Sequence, residues 1–127
     1  MEFTLDFDNM PDFVLLRTSG AASVEGFRAM IKILLESPEW ITGTPQIADH
    51  RKLDVTVFVP DDLRAVQEMI VGFSEELGAG SCAFVMGDEL GFGFARMYEL
   101  LGGDSVHGNV EVFYSFRDAL IWTKNSK

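Results

Sequence analysis

The side chains able to do chemistry in this chain are few and scattered. Cys82 is its one cysteine, inside "SCAFVM", while Asp49 and His50 adjoin each other and the second histidine, His107, lies far along the chain. A nucleophilic cysteine needs a neighbouring base and an electropositive, partly exposed setting, whereas Ala83, Phe84 and Val85 predict burial. Two histidines with no H-x-x-x-H or C-x-x-C spacing do not make a metal site, so Asp49, His50 and His107 read as strand-end and loop polar residues. The adjacent Asp61 and Asp62 follow Pro60, where they favour a helix start electrostatically rather than forming a paired-carboxylate site. No catalytic set is assembled, and no cofactor or resident metal is expected.

The nearest approach to a phosphate loop is "FVMGDELGFGFARMYELLGG", Phe84 to Gly103. A dinucleotide fingerprint requires G-x-G-x-x-G directly after a strand, with the helix N-terminus open to the pyrophosphate. Here Arg96 stands at the third position, and Gly91 and Gly93 fall about a turn inside the expected helix. Asp88 and Glu89 already occupy the positive end of that helix, so a phosphate would meet two carboxylates. Asp88 is expected to cap the helix, and the glycines to allow close packing.

The elements that position these residues follow from apolar periodicity. Strict alternation in "EFTLDF" gives a first strand, and after the turn "DNMPD" a second runs near residues 13 to 18. Ser23 stands at an N-cap, and Val24, Phe27, Ile31 and Leu34 recur at helical spacing. Residues 46 to 50 read as a short buried strand. A second helix starts near Pro60, with Leu63, Val66, Ile70, Phe73 and Leu77 inward, and "GAG" ends it. "SCAFVM" is apolar on both faces, as a central parallel strand should be, and the Asp88 helix follows it. "NVEVFY" is the last strand, and Ser115 with Asp118 opens a final helix carrying Trp122. "VTVFV", Val55 to Val59, has strand propensity and is the segment open to a hairpin reading against residues 46 to 50. Four β/α units in one mostly parallel sheet, with the first strand antiparallel, are the expectation.

Composition narrows the partners. Ten Lys and Arg against twenty Asp and Glu give a net charge of −10, which repels nucleic acid and anionic membrane. No segment approaches the ~18 consecutive apolar residues of a membrane span, and the acidic N-terminus lacks a signal-like core. One cysteine allows no internal disulfide, so a cytoplasmic location is expected. The 127 residues are expected to form a single domain, 1–127.

The order of elements, the run "GFGFARMYELL" and the ending "VEVFYSFRDALIWT" resemble bacterial proteins of the STAS-like group, a fold related to the CRAL-TRIO lipid-transfer domains. The resemblance spans nearly the whole chain, its specific part being F-G-x-A-R-M-Y-E and V-x-V-F…A-L-x-W, while the first half matches in pattern. It implies a four-turn β/α superhelix and a non-catalytic regulatory module that docks another protein or itself. In anti-sigma-factor antagonists of the STAS family, a serine in a D-S-S-G-like turn is phosphorylated. Here "ADHRKLDVT" keeps Asp49 at the strand end but lacks the serine pair and glycine, with Thr56 the nearest hydroxyl. The alternative implied by the related fold and by eleven phenylalanines is a small apolar-ligand or lipid-binding domain.

Sites follow from the same topology. Ligands of open β/α sheets gather beyond the carboxyl ends of the parallel strands, here Asp49, His50 and Arg51, Met86 to Asp88, and Tyr114 with Ser115. On the Asp88 helix, Leu90, Phe94, Met97 and Leu101 predict the buried stripe, placing Phe92 and Arg96 outward as the anchors of a homodimer.

Overall fold

The computed structural model describes residues 1–101 and 109–126. Gly102, Gly103 and His107 lie outside the described residues. Five strands form one sheet in the order β1-β2-β3-β4-β5: β1 Glu2–Asp6, β2 Val14–Ala21, β3 Gln46–Asp54, β4 Cys82–Met86 and β5 Val110–Phe113. β1 runs antiparallel to β2, with Leu5 opposite Leu16, and the other pairings are parallel.

Four β/α units build this sheet, as the periodicity predicts. The helices are α1 Val24–Glu36, α2 Pro60–Gly72, the short α3 Ser74–Leu77, α4 Glu89–Leu100 and α5 Phe116–Asn125. Because the strands lie in sequence order, crossovers of one hand carry their helices to one face. Accordingly Met30 and Leu34 of α1, Leu63, Val66 and Ile70 of α2, and Tyr98 of α4 share a core with Val14 and Leu16 of β2. α5, which follows β5, takes the opposite face, where Ala119 packs with Phe13, Leu15, Ile47, Ala83 and Val85.

The expected caps are in place. Ser23 accepts from the Gly26 N–H at 2.9 Å, Asp88 from the Gly91 N–H at 2.8 Å, and Ser115 from the Asp118 N–H at 3.2 Å. At the α2 start, the Val59 N–H donates to the Asp62 carboxylate at 3.0 Å.

Three local expectations need correction. β3 runs on through "RKLD" to Asp54, because β2 continues beside it with Ser19 opposite Lys52 and Ala21 opposite Asp54. The alternative hairpin, which would have broken the β/α rhythm, is absent, as that rhythm predicts: Val55–Val59 is a non-strand connection whose Val55 and Phe58 are buried in the core. The second predicted helix breaks at Phe73 into α2 and α3, though Leu77 is buried as expected.

The third correction concerns the rotation of α4. Gly91, Ala95 and Tyr98 are its buried residues; of the expected stripe Phe94 and Leu101 pack on the core, while Leu90 and Met97 are 48% and 37% exposed. Phe92 turns inward instead, packing beside Met86, Ala95 and Val112 and stacking on Tyr114 at 4.5 Å between centroids. Six large apolar residues distributed nearly all round this helix leave its rotation undetermined by periodicity. The small residues decide it, since Gly91 and Ala95 let the helix approach the sheet closely.

Candidate functional site: a polar cluster and an apolar cavity on opposite faces of the central strand

β3 sorts its functional side chains by alternation. Ile47, Asp49 and Arg51 face α5, whereas Ala48 and His50 face α1, α2 and α4. The sequence-adjacent Asp49 and His50 thus serve two different surroundings.

On the α5 face, the buried Asp49 carboxylate is gripped by Arg51, whose Nε and Nη2 donate at 2.9 and 2.8 Å. The Arg51 backbone N–H adds a third bond at 3.2 Å, and the guanidinium lies 5.5 Å from the Phe116 ring centroid. Arg17, the register partner of Asp49 on β2, approaches Oδ2, the oxygen that Arg51 Nη2 also holds, at 3.8 Å. Burial alone would raise the Asp49 carboxyl, but the Arg51 bonds and the charge of Arg17 outweigh it and hold the group below its usual range. Beside this cluster the register shifts from Arg17 opposite Asp49 to Ser19 opposite Lys52. Beside it Gly87 passes so close to the Arg51 carbonyl oxygen that a Cβ would lie 2.5 Å away.

On the other face lies an apolar cavity of about 80 Å³. Its wall includes Phe27, Met30, Ala48, Phe58, Phe84 and Tyr98. His50 stands in this wall, sharing a 2.6 Å hydrogen bond between its Nδ1 and the buried Thr18 hydroxyl. Its ring stacks against Phe84 at 5.8 Å and meets Phe27 edge-on at 5.7 Å. Burial pushes the imidazole down to about 4 against the opposing charge of Asp49, so the ring is neutral at physiological pH.

The remaining sequence-derived candidates do not join these residues in one site. Of the strand-end set, His50 and Met86 line the cavity; Asp49 and Arg51 face the other way, Asp88 and Ser115 cap helices, and Tyr114 stacks on Phe92. Arg96 is exposed but pairs with Glu99 along its own helix at 2.9 Å, so Phe92 and Arg96 do not form the outward pair expected of them. Cys82 is buried, and desolvation pushes its thiol up to about 12, a setting without nucleophilic thiolate at neutral pH. Among the described residues no three of His, Cys, Asp and Glu come together as a metal cluster. Nor is any described helix long and apolar enough to cross a membrane.

Sequence reasoning missed Arg17, and it raised an apolar pocket from the phenylalanine count without naming the residues that wall it. D-x-R spacing on a strand does signal Asp49 with Arg51 on one face, but Arg17 enters through cross-strand register, which no local pattern encodes.

Comparison with known proteins bears on the fold. No family model matches the chain, and no curated protein does. Among solved structures, it is similar to an uncharacterized protein from the DUF3478 family with a SpoIIAA-like fold, from Shewanella loihica PV-4. The two share 15% identity with a TM-score of 0.61, over 96% of this chain and 92% of that one. The fold is therefore SpoIIAA-like, that is, STAS-like, in agreement with the resemblance read from the sequence.

Proposed function

We propose that this chain is a non-catalytic binding module whose ligand is a small apolar molecule or the end of an alkyl chain, held against the sheet beneath α1, α2 and α4. The observation that carries the reading is the cavity itself: about 80 Å³ of space walled by aromatic and aliphatic side chains in an otherwise packed core. Its chemistry selects the ligand class: apart from Gln46, His50, Cys82 and the Tyr98 hydroxyl the wall is aromatic and aliphatic, and none of its side chains carries a charge to pair with a charged group stripped of its hydration.

Its volume sets the size. A cavity of ~150 Å³ holds benzene, so about half that volume takes a chain tip of a few carbons. Each buried methylene contributes ~0.8 kcal/mol, and the tip alone therefore binds no more tightly than millimolar. Useful affinity requires the rest of the molecule to extend past Phe58, whose ring lies between Phe27 and Phe94 at 6.0 and 6.4 Å.

Xenon is the probe for the cavity. In ¹H–¹⁵N spectra of the intact protein under xenon pressure, amides of Ala48, His50 and Phe84 are expected to shift, and Ala48→Leu, which fills the space, to abolish the response while the fold persists. Native mass spectrometry of freshly purified protein should show an added apolar mass that Ala48→Leu excludes. A wild type that responds to neither, or a variant that still responds, sinks the reading.

A second reading, docking to another protein, is favoured by a separate observation: Val57, Val59 and Leu90 stand about half exposed at the carboxyl edge of the sheet.

A further inference from the structure

Single exposed apolar residues are ordinary on a protein surface, so these three matter by their arrangement. Val57 and Val59 flank Phe58 in the connection between β3 and α2, and they are 53% and 54% exposed while Phe58 is buried. The loop is thus anchored by its middle residue and presents its two neighbours. Phe58 packs on Phe94 of α4, one helical turn beyond Leu90, itself 48% exposed. The Phe58–Phe94 contact ties the β3–α2 connection to α4, and both valines and Leu90 follow the carboxyl ends of the adjacent parallel strands β3 and β4, on one lip of the sheet.

The charge around this lip is one-sided. Segments 54–64 and 86–90 carry Asp54, Asp61, Asp62, Asp88 and Glu89 against a single cation, Arg64, which is held by Asp61 at 3.1 Å. Five carboxylates against one guanidinium leave a formal charge of −4. Lys52, exposed near the end of β3, is the nearest basic residue before the loop, and counting it leaves −3; Arg51 is turned to the opposite face by Asp49 and Phe116. An exposed apolar strip rimmed by one sign of charge is the surface counterpart of an amphipathic segment of the other sign.

We propose that this lip docks a cationic amphipathic segment of a partner protein, which sets its apolar side chains on Val57, Val59 and Leu90 and its Lys or Arg side chains against the surrounding carboxylates. The assignment stands apart from the cavity reading, since both valines and Leu90 lie outside the cavity wall. The same acidity disfavours an anionic membrane, and a second copy of this chain, at −10, would bring like charge to the contact.

The test titrates the ¹⁵N-labelled full chain with a short synthetic helical peptide of leucine and lysine. Two controls accompany it: the same design with glutamate for lysine, and a lysine–serine peptide of equal charge. The leucine–lysine peptide is expected to bind at least about tenfold more tightly than either control, shifting amides in 54–62 and 88–94. Val57→Asp with Leu90→Asp, at exposed positions, should weaken it about tenfold with an otherwise native spectrum; Asp61→Lys with Glu89→Lys should do the same without touching an apolar residue. Undetectable binding, equal binding of the lysine–serine peptide, shifts elsewhere, or indifference to both double variants would overturn the assignment. So would saturable binding to neutral phosphatidylcholine vesicles that is lost in the valine and leucine variant, which would give the lip to a lipid surface. Retention of peptide binding by Ala48→Leu separates this result from the fate of the cavity.

Discussion

His50 carries its consequences in its protonation. The native ring is held neutral down to about pH 4, whereas in the unfolded chain it titrates near 6.5. Between these values the unfolded state takes up a proton that the native state refuses, so stability is full above 6.5 and falls as the pH drops towards 4. The native ring protonates below that range, and this group causes no further loss. At ~1.4 kcal/mol per pH unit, the whole window is worth on the order of 3 kcal/mol. Asp49 acts separately: its carboxyl is depressed in the fold, so its contribution is present above the unfolded value of 3.8 and is lost only at more acid pH. Urea unfolding of the wild type across the window should therefore show a slope that His50→Phe flattens; an unchanged slope in the variant would place the acid sensitivity elsewhere. At this scale the sequence made Asp49, His50 and Arg51 visible as a run of polar residues at a strand end. It did not separate their roles, because alternation sends His50 to the cavity and its two neighbours to Arg17 and Phe116.

The rotation of α4 is tested by two positions one residue apart. Gly93 is exposed, with nothing within 4 Å of where a Cβ would stand, so Gly93→Ala removes a helix-interior glycine at no steric cost. It should stabilise the protein by ~0.5–1 kcal/mol. Phe92→Glu should do the opposite. The ring stacks on Tyr114 and packs beside Met86, Ala95 and Val112, and replacing it with a carboxylate should cost on the order of 2 kcal/mol. Thermal unfolding of the two variants decides the matter, and a neutral Phe92→Glu would restore the outward orientation expected from the sequence. Strands and helix starts were legible here because alternation, Ser23, Asp88 and Ser115 act locally. The length of β3 was not, since "RKLD" becomes strand only through the continuation of β2 alongside it.

Across the whole molecule the two faces are covered unequally. α1, α2 and α4 share the burden on one side, but among the described helices α5 alone covers Phe13, Leu15, Ile47 and Val85 on the other. Four β/α units predict this architecture, yet local pattern does not say on which face of the sheet the last helix lies. The asymmetry makes a sharp prediction. Removing residues 116–127 takes away Ala119, fully buried, and the partly buried Phe116, Leu120 and Trp122, and it leaves Asp49 and Arg51 without Phe116 beside them. With ~1.5–3 kcal/mol for each large side chain when fully buried, the partial burial lost is on the order of 5 kcal/mol, comparable to the ~5–15 kcal/mol that keeps a domain folded. The truncated chain is therefore expected to lose cooperative unfolding, bind a hydrophobic dye and aggregate, even though the cavity and the acidic lip lie on the other face. Circular dichroism melting and sedimentation check this directly. A truncated chain that remains monomeric and melts cooperatively would show that α5 is dispensable and that the α1, α2 and α4 layer holds the sheet by itself.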